Sequence, residues 1–347
     1  MNNAKNITVS SATAASSSSV MRRLKKTVAK LAKNRGLNVD EVRQQLIDKI
    51  KQLNQDKALG YLTFAGIINL DLPDGTRVAI IPDWHVPAHE KQISWQVKEW
   101  LAEFKPHIII LIGDAADMFG LSRWPKAPRV VANTQAELDE TRRLVDEVIL
   151  LSGCLHLFYI MGNHEDRNRR TQIDPNASVS SLIDPNTHEP ILNFHQLMGY
   201  TRKDPITFVY GMNEEGGGGG GVLINDDFKF IHGKIVRGKP GQSPYAEADS
   251  QLQSVGHGHT HRLGTRARRL TKGHTLRSFE FGHLADETHS YMGYATYPNW
   301  QHGLGAGLVH GGKLHIQLLP ILKVNDETGQ TRSALLFDGK FTLSSGY

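Results

Sequence analysis

Short unbroken apolar runs alternate, through the first half of the chain, with stretches whose apolar residues recur every three or four positions. Arg77 to Ile81, His107 to Ile112 and Leu155 to Met161 have the length and continuity of buried strands. Between them, Ile93, Val97, Trp100, Leu101 and Phe104 mark one helix. Leu138, Val145, Val148 and Ile149 mark a longer one that should stop near Gly153. This rhythm predicts an α/β layered core. Beyond about residue 205 the helical pattern gives way to short strands at Phe228 to Ile231, Leu252 to Val255, Leu308 to His310 and Leu314 to Leu319. Asp338-Gly339 is a hairpin signal, and Ile67 to Leu72, Pro73-Asp74-Gly75 and Arg77 to Ile81 also read as a hairpin.

The N-terminal part follows a different pattern. Residues 1–20 are Ser- and Ala-rich without periodicity, as in a disordered tail. Leu24, Val28 and Leu31 then fall at helical spacing, Gly36 breaks the run, and Asn38 with Glu41 can cap a second helix carrying Val42, Leu46, Ile50 and Leu53. Residues 21–58 therefore predict a helical hairpin, either a small helix-turn-helix unit or a packing element. The expected organisation is a tail at 1–20, that hairpin at 21–58, the main domain at 59–320 and a C-terminal hairpin extension at 321–347. Gly216 to Gly221 predict a flexible loop tip, since no Lys-Ser/Thr follows as a phosphate cradle requires. Gly307 to Lys313 nearly match a nucleotide-binding loop, but Leu314 stands where a hydroxyl is needed, so a hairpin turn is expected.

Charge separates these regions. Residues 1–60 carry 12 Lys/Arg against 4 Asp/Glu, a net of +8 against +5 for the whole chain, so the rest carries −3. A basic arm on a mildly acidic body makes nucleic acid a candidate partner of residues 21–58, and a solvated helical face the plain alternative. The hydrophobic fraction of 39% over 347 residues supports a sizeable core. The lone cysteine, Cys154, sits in an apolar run, where it should pack as a small hydrophobe, and no intrachain disulfide can form. No apolar stretch reaches the roughly 18 residues of a membrane span and no secretory signal pattern opens the chain. A cytoplasmic protein without a membrane partner is expected.

Polar motifs follow the apolar runs in a fixed order: Asp83-Trp84-His85, Gly113-Asp114-Ala115-Ala116-Asp117, Gly162-Asn163-His164-Glu165, His232-Gly233 and Gly258-His259-Thr260-His261. Each alone is weak. Together they place Asp, Asn and His at strand ends, which converge at one edge of an open α/β sheet. Mixed carboxylate and imidazole donors without thiolate suit manganese, iron, zinc or nickel, with manganese expected first. Two such ions side by side suit attack on phosphorus.

The set resembles the calcineurin-like metallophosphoesterase superfamily, over roughly Arg77 to His261, and its compact layout is similar to prokaryotic and bacteriophage members. The resemblance implies an α/β fold built as a two-sheet β-sandwich flanked by helices, with the small helical segment at the N-terminus. It implies that Asp83, His85 and His261 bind one metal, that Asp114 bridges, and that Asn163, His232 and His259 complete the second. It implies that His164 assists the leaving group beside a metal-bridging hydroxide and that Asp117 orients it. Family members acting on phosphoproteins carry Arg after that second Asp; here Met118 stands there. Phosphate gripping then falls to another cation, with Arg167, Arg169, Arg170 and Arg262 as candidates. The expected function is a metal-dependent phosphoric ester hydrolase cutting phosphodiester bonds in nucleic acid or nucleotides. A phosphomonoesterase or nucleotide pyrophosphohydrolase, and a non-catalytic nucleic-acid-binding protein, are the alternatives.

Overall fold

A computed structural model describes residues 63–123, 133–173, 178, 181–185, 188, 190–201, 204–211, 219–271, 273–293 and 298–344. The expected tail at 1–20 and basic hairpin at 21–58 lie outside the described residues, as do Gly216 to Gly218 of the glycine run. No helix among the described residues is long and apolar enough to cross a membrane.

Among the described residues, fifteen strands form two sheets. In chain order they are β1 (Thr63–Ala65), β2 (Ile67–Leu70), β3 (Arg77–Ile81), β4 (Ile108–Leu111), β5 (His156–Ile160), β6 (Ile206–Tyr210), β7 (Gly221–Ile224), β8 (Phe228–Ile231), β9 (Ser254–His257), β10 (Leu263–Arg269), β11 (Thr275–Phe281), β12 (Gly303–His310), β13 (Lys313–Asn325), β14 (Thr331–Phe337) and β15 (Lys340–Leu343). One sheet has the order β1-β6-β5-β4-β3-β12-β13-β14-β15, the other β10-β11-β9-β8-β7-β2. The longer helices are α1 (Lys91–Phe104), α2 (Thr134–Ser152) and α3 (Gln242–Gln251).

The period of two in the strands explains the layering. Val78 and Ile80 of β3, Ile108 and Ile110 of β4, and Phe158 and Ile160 of β5 pack with Val222, Ile224, Phe228, Phe230 and Phe281 of the second sheet. The alternate residues Ala79, Ile81, Ile109, Leu111, Leu157 and Tyr159 face the other way, onto Ile93, Val97, Trp100 and Leu101 of α1 and Leu138, Leu144, Val145 and Val148 of α2. α3 contributes Ala248 to a small cluster with Ile231 and Val255. The fold is a two-sheet sandwich with helices on its flanks, as the family resemblance implied. α1 and α2 begin with side-chain caps, Glu90 accepting from Ile93 N–H at 2.6 Å and Asn133 from Ala136 N–H at 3.1 Å. Gly153, at φ 62°, ends α2 where expected.

Four expectations change. Ile67–Leu70 and Arg77–Ile81 are no hairpin: they enter different sheets, pairing respectively with β7 and with β4 and β12. Asp74 instead accepts hydrogen bonds from Gly311 and Gly312 N–H, at 2.8 and 2.9 Å, and so closes the β12–β13 hairpin turn. Second, α3 carried no apolar signal because it buries Ser243, Pro244, Glu247 and Ala248, mostly polar or small. Third, the strand read at Leu252 to Val255 begins only at Ser254, Leu252 being the exposed C-cap of α3 in left-handed conformation. Fourth, the boundary placed at 320/321 falls inside β13, and β14 and β15 extend the same nine-stranded sheet. Asp338 and Gly339 do form the turn between them, at φ 51° and 70°.

Candidate metal centre

β3, β4 and β5 run parallel and adjacent in one sheet, β8 and β9 parallel and adjacent in the other. Their C-terminal ends therefore lie at one edge of the sandwich, and every motif begins where one of these strands stops. The chain turns sharply there. His85, Asp114, His259 and His261 have φ of 54°, 50°, 67° and 59°, a conformation that costs a non-glycine residue energy and clusters at functional sites. The motif glycines make room for side chains from other strands. A Cβ on Gly162 would stand 2.1 Å from Asp114 Oδ1, and one on Gly258 2.1 Å from Asp83 Oδ1.

Two groups of donors result: Asp83, His85 and His261, and Asp114, His232 and His259. In the first, the two Nε2 atoms of His85 and His261 face each other at 2.9 Å and His261 Nε2 lies 3.3 Å from Asp83 Oδ2. In the second, His232 Nε2 is 3.1 Å from Asp114 Oδ2, while Asn163 Oδ1 lies 2.9 Å from His232 Nε2 and 2.7 Å from His259 Nδ1. The far nitrogens fix two tautomers. His232 Nδ1 donates to the Ile112 carbonyl at 2.8 Å and His85 Nδ1 to Asp117 Oδ2 at 2.9 Å, so each ring keeps Nε2 as the nitrogen that a metal would take, His232 giving up its second proton on binding.

The decisive side chain is Asp83. It is fully buried, and neither carboxylate oxygen has a hydrogen-bond partner among the described residues. Burial lifts its carboxyl to about 6, since an unpartnered charge is costly inside a protein. Cations in the interior would satisfy those oxygens and the facing imidazoles together, so the donor set fits a pair of divalent ions. Burial opposes protonation of His232, but the Asp114 carboxylate outweighs it and brings that ring to about 10. Burial takes His259 and His261 down to about 3, leaving them neutral and ready to coordinate.

Residues 76–263 match the family model of the calcineurin-like phosphoesterase domain. The chain belongs to this family. Similar solved structures include Chaetomium thermophilum Vps29 (11% identity, TM-score 0.36, 77% of this chain and 97% of that one). TT1561 of Thermus thermophilus (9%, 0.35, 70% and 98%) and a dimetal phosphatase from Danio rerio (11%, 0.32, 71% and 96%) are also similar. No curated protein sequence matches it.

In this calcineurin-like phosphoesterase domain, His164 and Asp117 lie beside the donor groups. His164 Nδ1 donates to the Asp117 backbone carbonyl at 2.9 Å and stands 3.3 Å from Asp117 Oδ2. Asp117 thus orients two histidines, His85 more closely by its carboxylate and His164 by its carbonyl. Burial opposes protonation of His164, but Asp114 and Asp117 together raise its pKa. Arg167 is not loose: it donates to the Asp117 carbonyl at 2.7 Å and Oδ1 at 3.2 Å, with Nη2 3.0 Å from His164 Nε2. Arg169 and Arg170 pair with Asp166. Arg262 donates to the Arg237 carbonyl, and its Nε is buried without a partner among the described residues. Cys154 is buried and burial pushes its thiol up to about 11, as an inert packing residue requires.

Sequence reasoning passed over two carboxylates. Glu165, 1% exposed, accepts from the N–H groups of Asp114, Ala116 and Gly162 at 2.9, 3.0 and 2.9 Å and from the Tyr159 hydroxyl at 2.7 Å. It ties β5's loop to the loop of Asp114. Its signal was an acid directly behind an apolar strand and three motif residues. Glu137 of α2 accepts from Phe119 N–H at 3.0 Å; burial and then Asp117 push its carboxyl up to about 7. A further group, His283, Glu287 and His302, lies beside the site, His283 stacking on His261 at 5.0 Å. Its tautomer is wrong for a metal: His283 Nδ1 accepts from Ala285 N–H at 3.2 Å, so the proton sits on the Nε2 that faces Glu287.

Proposed function

We infer that this protein is a dinuclear metal-dependent phosphodiesterase acting on nucleic acid or nucleotides. Asp83, His85 and His261 would hold one ion and Asn163, His232 and His259 the other, with Asp114 shared. When bound, two divalent ions lower the pKa of a water between them and draw charge from phosphoryl oxygens. Oxygen and imidazole donors without thiolate suit manganese, iron, zinc or nickel, and manganese is the ion to test first. His164, its pKa raised by two carboxylates, can hold a proton near neutral pH and release it from Nε2 to a departing oxygen. That nitrogen now faces Arg167 Nη2, so the guanidinium must shift from it, keeping the Nη1 contacts to Asp117, when His164 is protonated.

The observation that favours a diester is the engagement of Arg167. The guanidinium that touches His164 is already paired with Asp117, and the position after Asp117 carries buried, apolar Met118. A monoester brings close to two negative charges and a diester one, so a site whose guanidinium is largely neutralised suits the diester. Initial rates on bis(p-nitrophenyl) phosphate and p-nitrophenyl phosphate with manganese test this. The diester should be preferred, and a wide preference for the monoester overturns the reading.

A further inference from the structure

The strand that leaves the Gly258–His261 motif is a basic edge. β10 is outermost in its sheet, paired with β11, and Thr265 to Arg269 are all exposed. The loop from His232 to α3 runs beside it: a Cβ on Gly264 would lie 2.8 Å from Gly241 N, and one on Gly241 3.2 Å from Arg266 Cγ. Buried Glu280 of β11 accepts from Gly241 N–H and from the Thr260 hydroxyl, so loop, strand and histidine motif are tied into one unit. Residues 234–239 and 262–269 hold seven basic side chains and no acidic one. Asp249 of α3 pairs with Arg268; among the described residues no ion pair joins an acid to the other six. Arg266 and Arg268 repeat at about 6.8 Å, two residues of antiparallel strand, a spacing on the scale of successive nucleotides in an extended strand.

The geometry points to a polynucleotide track: a backbone whose scissile phosphate lies at the metal centre continues along this edge, its phosphates neutralised by Lys234, Arg237, Lys239, Arg262 and Arg266, with Arg268 next on the same face of the strand. The placement of the scissile phosphate rests on the phosphodiesterase reading; the binding along the edge does not. A groove of cations that follows the backbone binds single strands with little regard to sequence and loses affinity with salt.

The test uses the full manganese-loaded chain and a fluorescent phosphorothioate oligodeoxynucleotide of about 20 residues, read by anisotropy against salt. One variant combines Arg237→Ala, Lys239→Ala and Arg266→Ala. A charge-matched control combines Lys313→Ala, Lys323→Ala and Lys340→Ala, exposed lysines of the other sheet. Each lost single-strand contact should flatten the slope of log affinity against log salt by about 0.7, so the edge variant should lose about 2 in slope and about 100-fold in affinity near 0.1 M salt. The control should bind as the wild type does. Equal weakening of both variants, or tighter binding of the wild type to phosphatidylserine vesicles than to the oligonucleotide, overturns the track. Hydrolysis of bis(p-nitrophenyl) phosphate by the wild type separates the two readings. Absent hydrolysis with edge-dependent oligonucleotide binding sinks only the phosphodiesterase, and the reverse sinks only the track.

Discussion

Glu165→Gln isolates the carboxylate that holds the motif loops together. Oε2 accepts from Asp114 and Gly162 N–H, Oε1 from Ala116 N–H and the Tyr159 hydroxyl. A glutamine offers one oxygen and one NH2 in the same space. If the NH2 takes the Oε2 position, two backbone donors face a donor, at about 1–3 kcal/mol each. If it takes the Oε1 position, the Tyr159 hydroxyl can rotate and accept, and only Ala116 N–H is orphaned. The second arrangement is cheaper, so the variant should lose about 1–3 kcal/mol of stability. Tyr159→Phe removes the hydroxyl that makes this escape available, so the double variant should be less stable than the sum of the singles. Denaturant midpoints of the metal-free protein measure both effects, and manganese titration should show weaker binding because the orphaned Ala116 N–H loosens the loop that carries Asp114. A midpoint for Glu165→Gln equal to wild type would show that the carboxylate is not the tie.

His164→Ala should leave metal content intact by elemental analysis yet lower turnover of diesters with poor leaving groups by about 10²–10⁴-fold, with less loss for nitrophenyl esters; equal loss across leaving groups would remove its role as proton donor. Gly258→Ala drives a methyl into Asp83 and should cost about 1–3 kcal/mol and lower the bound metal; full metal content refutes that packing. Burial raises the folded-state pKa of Asp83 from 3.8 to about 6, so in metal-free protein its contribution to stability is complete below 3.8 and is lost as pH rises through about 6. Asp83→Asn should therefore be more stable than metal-free wild type above pH 6, by on the order of 1–3 kcal/mol, and bind less metal; saturating manganese should reverse the order, and parallel pH–stability curves would refute the buried charge.

What the sequence alone determined was set by local chemistry. Apolar runs of strand length followed by Asp, Asn or His, and helices whose apolar residues recur on one face, are written in consecutive residues, so the layered core and the strand-end motifs were legible. Features that depend on partners far along the chain were not. The stretch around Asp74 reads as a hairpin locally, yet its strands part because each finds its neighbours in a different sheet. α3 is held by burying serine, proline and alanine, which have no periodic signal. Glu165 stands in its motif without a role in the sequence, and gains one only when three backbone N–H groups and the Tyr159 hydroxyl close around it. Only the tertiary structure could show that both Asp83 oxygens are buried without partners among the described residues, because burial and satisfaction belong to the whole packing and not to the order of residues.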